Sequence, residues 1–302
     1  MRTAFAALCQ VLACHGLARM PQAPYYRQNA NTGHDEAVEE ASLDRATERE
    51  FTDLFDVVHA ARETLGLPPI AAPARAGVAN VKSLCKARAA AATEKIGDAA
   101  ATVAGGRVSL VELGSREGRV AASLAHLEFA SVTLVDKAHP DSDEAKAVEG
   151  RRVSVGLEHL HLAGLGDGDV ACVAKHVCGR AMDYAIRAVA AAPPAVVALA
   201  PCCYFDVEYR AYPPEGRDFL RDLGIDARRF AMLTRLTQCG PQEVFGDQTI
   251  GQAAMDLIDA GRVHYLLGMG LDAAVLPYAT PALANDGALE STLIVGWRSP
   301  DA

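Results

Sequence analysis

The chain has 302 residues, half of them apolar and 22% charged, which suits one large globular domain with an appendage and excludes a disordered chain. Its net charge of −9 argues against a broad phosphate-binding surface, though not against a local basic patch. No apolar stretch has membrane-spanning length with anchors, so no membrane partner is expected. The eight cysteines have no regular disulfide spacing and no Cys-x-x-Cys, which fits the cytoplasm or nucleus better than secretion.

Residues 1–34 contain no acid but carry Arg2, Arg19 and Arg27, with a mostly apolar run from Ala4 to Leu17. Organellar targeting is one reading; an amphipathic helix or a truncated start is the other. Leu43, Ala46, Phe51, Leu54, Phe55, Val58 and Leu65 keep helical spacing until Gly66-Leu67-Pro68-Pro69 stops them. The Pro/Ala/Gly stretch to Gly77 divides an N-terminal helical extension, 1–77, from a main domain, 78–302. A second helix is expected over Val78–Val103.

From Val108 short apolar runs alternate with helical patterns. Strands are expected at 108–113, 131–136, 151–155, 169–174 and 195–200, with a helix at 120–129 after the first. Such alternation gives a parallel sheet covered on both faces. A helix at 252–267 and two runs, 271–278 and 290–297, then close the sheet as an antiparallel pair. The expected fold is therefore α/β and Rossmann-like, on the plan of the class I S-adenosylmethionine-dependent methyltransferases.

Two places carry chemistry. The first is the turn Glu112-Leu113-Gly114-Ser115-Arg116-Glu117-Gly118, with Asp136 eighteen residues on at the end of the second strand. Its glycines let backbone approach a ligand, and an acid at that strand end suits ribose hydroxyls. Glu112 and Glu117 would repel a pyrophosphate but not a sulfonium, which favours S-adenosyl-L-methionine over a dinucleotide. Candidate cofactor-binding residues are Glu112, Gly114, Ser115, Gly118 and Asp136.

The second place is Lys175-His176-Val177-Cys178-Gly179 after the fourth strand, beside Cys202-Cys203 after the fifth. Three chemistries are open to it. His176, Cys178, Cys202 and Cys203 could hold zinc, although adjacent cysteines rarely both serve one tetrahedral ion. A cysteine activated by His176 or Lys175 could act as nucleophile. Otherwise Lys175 or Asp183 handles a hydroxyl proton while the cysteines pack the strand ends, as the apolar Cys172 does.

These blocks resemble the eukaryotic tRNA 2′-O-methyltransferases that modify nucleotide 4 of the acceptor stem. Residues 24–33 look like the segment after that family's zinc fingers. Glu112-Leu113-Gly114 with Gly118, and Leu134-Val135-Asp136, resemble its cofactor site. Residues 175–183 resemble its Lys-His-Leu-Cys-Gly-x-Ala-Thr-Asp signature, Cys202-Cys203 its paired cysteines, and 257–266 a C-terminal helix. The resemblance implies S-adenosyl-L-methionine as cofactor and the tRNA acceptor stem as partner. It places Lys175 near the 2′-hydroxyl and Asp183 orienting Lys175 or His176, with Cys203 also in the catalytic set and no metal.

The departures are Arg116 for the family's middle glycine, expected to crowd the ligand, Tyr204 and Phe205 for two histidines, Gly156 for an acid and Ser291 for an asparagine. Cys9, Cys14 and His15 do not restore the zinc-finger spacing, so a protein partner replacing the fingers is one expectation. Lys82, Lys86, Arg88, Arg228, Arg229 and Arg235 are candidate phosphate contacts. A non-catalytic RNA- or protein-binding relative, or a methyltransferase acting on a small molecule or protein, are the alternatives.

Overall fold

The structure is a computed structural model that describes residues 48–66, 81–103, 105–237 apart from 139, 141, 167, 176 and 191, 248–278 and 292–298. The expectations for residues 1–47, the linker and His176 lie outside them.

Seven strands form one sheet: β1 (Gly105–Leu113), β2 (Phe129–Asp136), β3 (Arg151–Ser154), β4 (Asp169–Lys175), β5 (Val196–Ala200), β6 (Leu271–Pro277) and β7 (Thr292–Arg298). Their order is β3-β2-β1-β4-β5-β7-β6. The first five are parallel, and β7 runs antiparallel to both β5 and β6. This is the expected Rossmann-like class I methyltransferase sheet with its C-terminal antiparallel pair. The order also brings the ends of β1, β2, β4 and β5 to one edge, where open α/β sheets hold ligands.

The helices are α1 (Glu48–Thr64), α2 (Val81–Ala101), α3 (Arg119–Ser123), α4 (Asp143–Lys146), α5 (Arg180–Ala190), α6 (Pro214–Asp222), α7 (Ala227–Leu236) and α8 (Gln248–Gly268). No helix among the described residues is long and apolar enough to cross a membrane. The alternation of β4 divides the core. Ala171 and Val173 pack with Ala92, Ile96 and Ala100 of α2, whereas Cys172 and Ala174 pack with Met182, Ile186 and Val189 of α5. Leu54, Val58 and Ala61 of α1 share a third core with residues of α7 and α8.

Two details differ from the sequence reading. The helix after β1 ends at Ser123, because residues 124–128 turn and Phe129 is already paired with Gly105 in the sheet. Helices α6 and α7 were not foreseen. Between the basic residues of that stretch, Leu220, Phe230, Met232, Leu233 and Leu236 are buried.

Candidate active site

The turn after β1 is shaped by two glycines in the left-handed region, Gly114 (φ 64°) and Gly118 (φ 69°). A Cβ on Gly114 would lie 2.6 Å from Val177 Cγ2, so the turn and the loop after β4 meet at a glycine-only distance. Ser115 N–H donates to Val135 O (3.0 Å), which fastens the turn to β2. Ser115 Oγ is buried and has no hydrogen-bond partner among the described residues. An orphaned hydroxyl in a glycine-lined turn fits a polar ligand that completes it.

Glu112 points into this turn from the end of β1. It is buried, and its carboxylate accepts from the backbone N–H groups of Ala121 (2.8 Å) and Val120 (3.4 Å) at the start of α3. Burial pushes its carboxyl up to about 7, against the pull of those two N–H groups and of Arg152 and Lys175. Asp136 is tied to backbone on both sides: Oδ2 accepts from Arg116 N–H (2.9 Å) and Oδ1 from Ala138 N–H (2.8 Å). The Arg116 side chain is exposed. Glu117 accepts from Ser142 Oγ (2.9 Å).

The space a side chain would take at Gly156 is filled by the Glu158 carboxyl. Glu158 sits on a 3-10 turn, Leu157–His159, directly after β3.

Lys175 ends β4 on the α2 face. Its Nζ donates to Ala89 O (2.6 Å) and Thr93 Oγ1 (2.9 Å) of α2. It is half-buried, and desolvation lowers its pKa, while Glu112 opposes the shift and Arg119 adds to it. An ammonium has three donors, so one remains after these two bonds.

Asp183 does not join Lys175, the first of its two expected partners; the second, His176, lies outside the described residues. Asp183 lies fully buried on the opposite face, where Arg262 Nε donates to its Oδ1 (2.9 Å). Arg262 Nη1 also donates to Asp259 Oδ1 (3.0 Å), and Tyr204 Oη donates to Asp259 Oδ2 (2.6 Å). Asp183 lies in the first turn of α5, which meets Arg262 of α8 on the sheet face that Lys175 does not share. Burial pushes its carboxyl up to about 6, with the Arg262 charge opposing. Arg262 and Asp259 were missed as a pair, although their spacing on one helix was a readable signal.

Tyr204, where the resembling family has a histidine, is thus a member of this buried network, and Phe205 is 45% exposed. Of the candidate phosphate contacts, Arg228 is paired with Glu50 (2.7 Å), and Arg229 Nη1 donates to Gly224 O (2.7 Å). The side chains of Lys82, Lys86 and Arg88 lie outside the described ones.

Three thiols meet where the β4 and β5 loops touch. Cys178 and Cys202 Sγ are 3.0 Å apart, and Cys202 and Cys203 Sγ 3.6 Å. Hydrogen bonding to Cys178 and Cys203, then burial, raises the Cys202 pKa. Cys172, alone inside β4, is pushed up to about 12 by burial.

Residues 103–239 match the model of the family described as Methyltransferase TRM13. A tRNA:m(4)X modification enzyme TRM13 from Yarrowia lipolytica is 30% identical over 144 positions, covering 35% of this chain and 31% of that protein. The chain therefore matches less than a third of the relative's length. Among solved structures, the plantazolicin methyltransferase BpumL in complex with SAH overlaps 83% of this chain and 99% of its own, with TM-score 0.36 and 10% identity. A cyclopropane-fatty-acyl-phospholipid synthase-like protein from Lactobacillus casei overlaps 81% and 98%, with TM-score 0.34 and 13% identity. At these scores neither bears on what this chain does. Over residues 103–239, the chain is thus similar to the TRM13 methyltransferase family.

Proposed function

We propose that this protein is an S-adenosyl-L-methionine-dependent tRNA methyltransferase whose acceptor is the ribose 2′-hydroxyl of nucleotide 4. The observation that carries the reading is the meeting of two strand ends. Glu112, Gly114, Ser115, Gly118 and Asp136 form a turn, and the half-buried Lys175 ends the neighbouring strand within the electrostatic reach of Glu112.

Bound in that turn, S-adenosyl-L-methionine would supply an electrophilic methyl group on a sulfonium. The Glu112 charge suits the sulfonium, the Asp136 carboxylate suits ribose hydroxyls, and Ser115 Oγ offers an unused polar atom. Glu158, folded over Gly156, supplies an acid beside the third strand end.

As the neutral amine that its lowered pKa favours, Lys175 keeps its two donations to Ala89 O and Thr93 Oγ1 and turns its lone pair to the 2′-hydroxyl, whose proton it accepts as the oxygen attacks the methyl group. Cys203, whose carbonyl accepts from Gly179 N–H (2.9 Å), walls the acceptor side, and the exposed Phe205 adds an apolar surface there. Asp183 acts at a distance, by fixing α5 to α8 through Arg262. An acceptor stem would be held by its shape, backbone and 2′-hydroxyls rather than by base edges.

The test is incubation of the protein with labelled S-adenosyl-L-methionine and total tRNA, followed by mapping of ribose methylation. Label at the 2′-oxygen of nucleotide 4, lost in Lys175→Ala with the fold intact, is expected. Label on a base, on a protein or on a small molecule, or full activity in Lys175→Ala, contradicts it.

A further inference from the structure

We propose that Cys178, Cys202 and Cys203 form a three-thiolate site for a thiophilic divalent d10 cation, zinc in particular, that clamps the loops after β4 and β5 together. The three Sγ atoms all lie within 4.8 Å of one another. A zinc–sulfur bond of about 2.3 Å sets tetrahedral Sγ–Sγ edges of about 3.8 Å. The separations of 3.0 and 3.6 Å therefore need to open by less than about 1 Å to admit the ion.

The objection to adjacent cysteines fails here for a geometrical reason. In a strand, successive side chains point to opposite faces. Strand β5 ends at Ala200, so Cys202 and Cys203 lie in irregular backbone and turn their thiols to the same side. The third thiol is brought in by a fixed backbone contact. Gly179 N–H donates to Cys203 O and Arg180 N–H to Asp206 O, each at 2.9 Å. Gly179 adopts φ 53°, and a Cβ there would collide with the Asp206 carbonyl oxygen. The loops are thus held at a separation only glycine permits, and the ligand atoms converge before any ion arrives.

Access and charge fit as well. Cys202 is buried, but Cys178 and Cys203 are only partly so, which leaves an entry path from solvent. Cys178 precedes the first turn of α5, whose N-terminal end favours thiolates. On binding, each thiol gives its proton to the buffer, and no redox step is involved. A disulfide would use two of the thiols and leave the third without a task.

The full-length protein, held reduced with a phosphine, is titrated with Cd2+ as an optical probe and with Zn2+ against a chelating indicator. One equivalent of Cd2+ should give a thiolate-to-metal charge-transfer band, and one equivalent of Zn2+ should abolish it. Cys178→Ser and Cys203→Ser should each weaken the band and lower zinc affinity at least tenfold, whereas Cys14→Ser and Cys172→Ser should leave both unchanged. Circular dichroism confirms the fold of each variant, and zinc should raise the thermal midpoint of the parent but not of Cys203→Ser. No band at one equivalent, a band untouched by Cys178→Ser and Cys203→Ser, or zinc-independent melting of the parent overturns the site.

Discussion

Glu112 and Asp183 are both buried carboxylates near the functional edge, and both have raised pKa values, yet they are held in different ways. Glu112 is held by two backbone N–H groups of a short helix, with Lys175 and Arg152 acting only through their charge. Asp183 is held by a guanidinium that is itself 1% exposed and shared with Asp259. The first arrangement keeps a titratable group that a cation can stabilise. The second fixes two elements, α5 and α8, and leaves little chemistry available. Burial and a shifted pKa therefore do not by themselves mark a reactive residue; the identity of the partner decides.

The largest effect should come from breaking the Asp183 side. Arg262→Met leaves two buried carboxylates, Asp183 and Asp259, without their cation and should cost about 3–5 kcal/mol of stability in urea unfolding. A loss below about 1 kcal/mol, the size of an exposed ion pair, would show that the two carboxylates are held alike.

On the Glu112 side, the effect is on pH dependence. Its carboxyl sits near 7 in the folded protein against an ordinary 4.5, so the native state binds more protons than the unfolded one between those values. Its contribution to stability is fully present below about 4.5 and is lost as the pH rises through about 7. Glu112→Gln should flatten unfolding free energy measured across that window and weaken S-adenosyl-L-methionine binding by calorimetry. An unchanged slope would remove Glu112 as the titrating group. Bound cofactor should also lower the pKa of Glu112, because a sulfonium favours the ionised form.

The smallest effect concerns Thr93. Thr93→Val removes one of two acceptors of Lys175 Nζ, a loss of about 1 kcal/mol or about fivefold in rate. It should lower kcat and leave KM for tRNA unchanged. A change confined to KM would mean that α2 acts on substrate binding rather than on Lys175.

Much of this was legible in the sequence. The strand and turn pattern around 108–136 carries the first two parallel strands, because short apolar runs and glycines have few alternative uses. Glu112, Gly114, Gly118 and Asp136 came together as expected. Asp183 did not join Lys175, since sequence proximity says nothing about which face of the sheet a helix turns to. The partner Arg262 lies 79 positions away, on a helix whose register only the packed structure fixes. The convergence of Cys202 and Cys203 was hidden for a similar reason, because it depends on where β5 ends.

The most direct measurement uses two synthetic acceptor stems that differ only at nucleotide 4, one with ribose and one with 2′-deoxyribose. With labelled S-adenosyl-L-methionine, the ribose stem should be methylated and the deoxyribose stem should not, at equal binding. Equal methylation of both stems, or of neither, would contradict transfer to that 2′-hydroxyl.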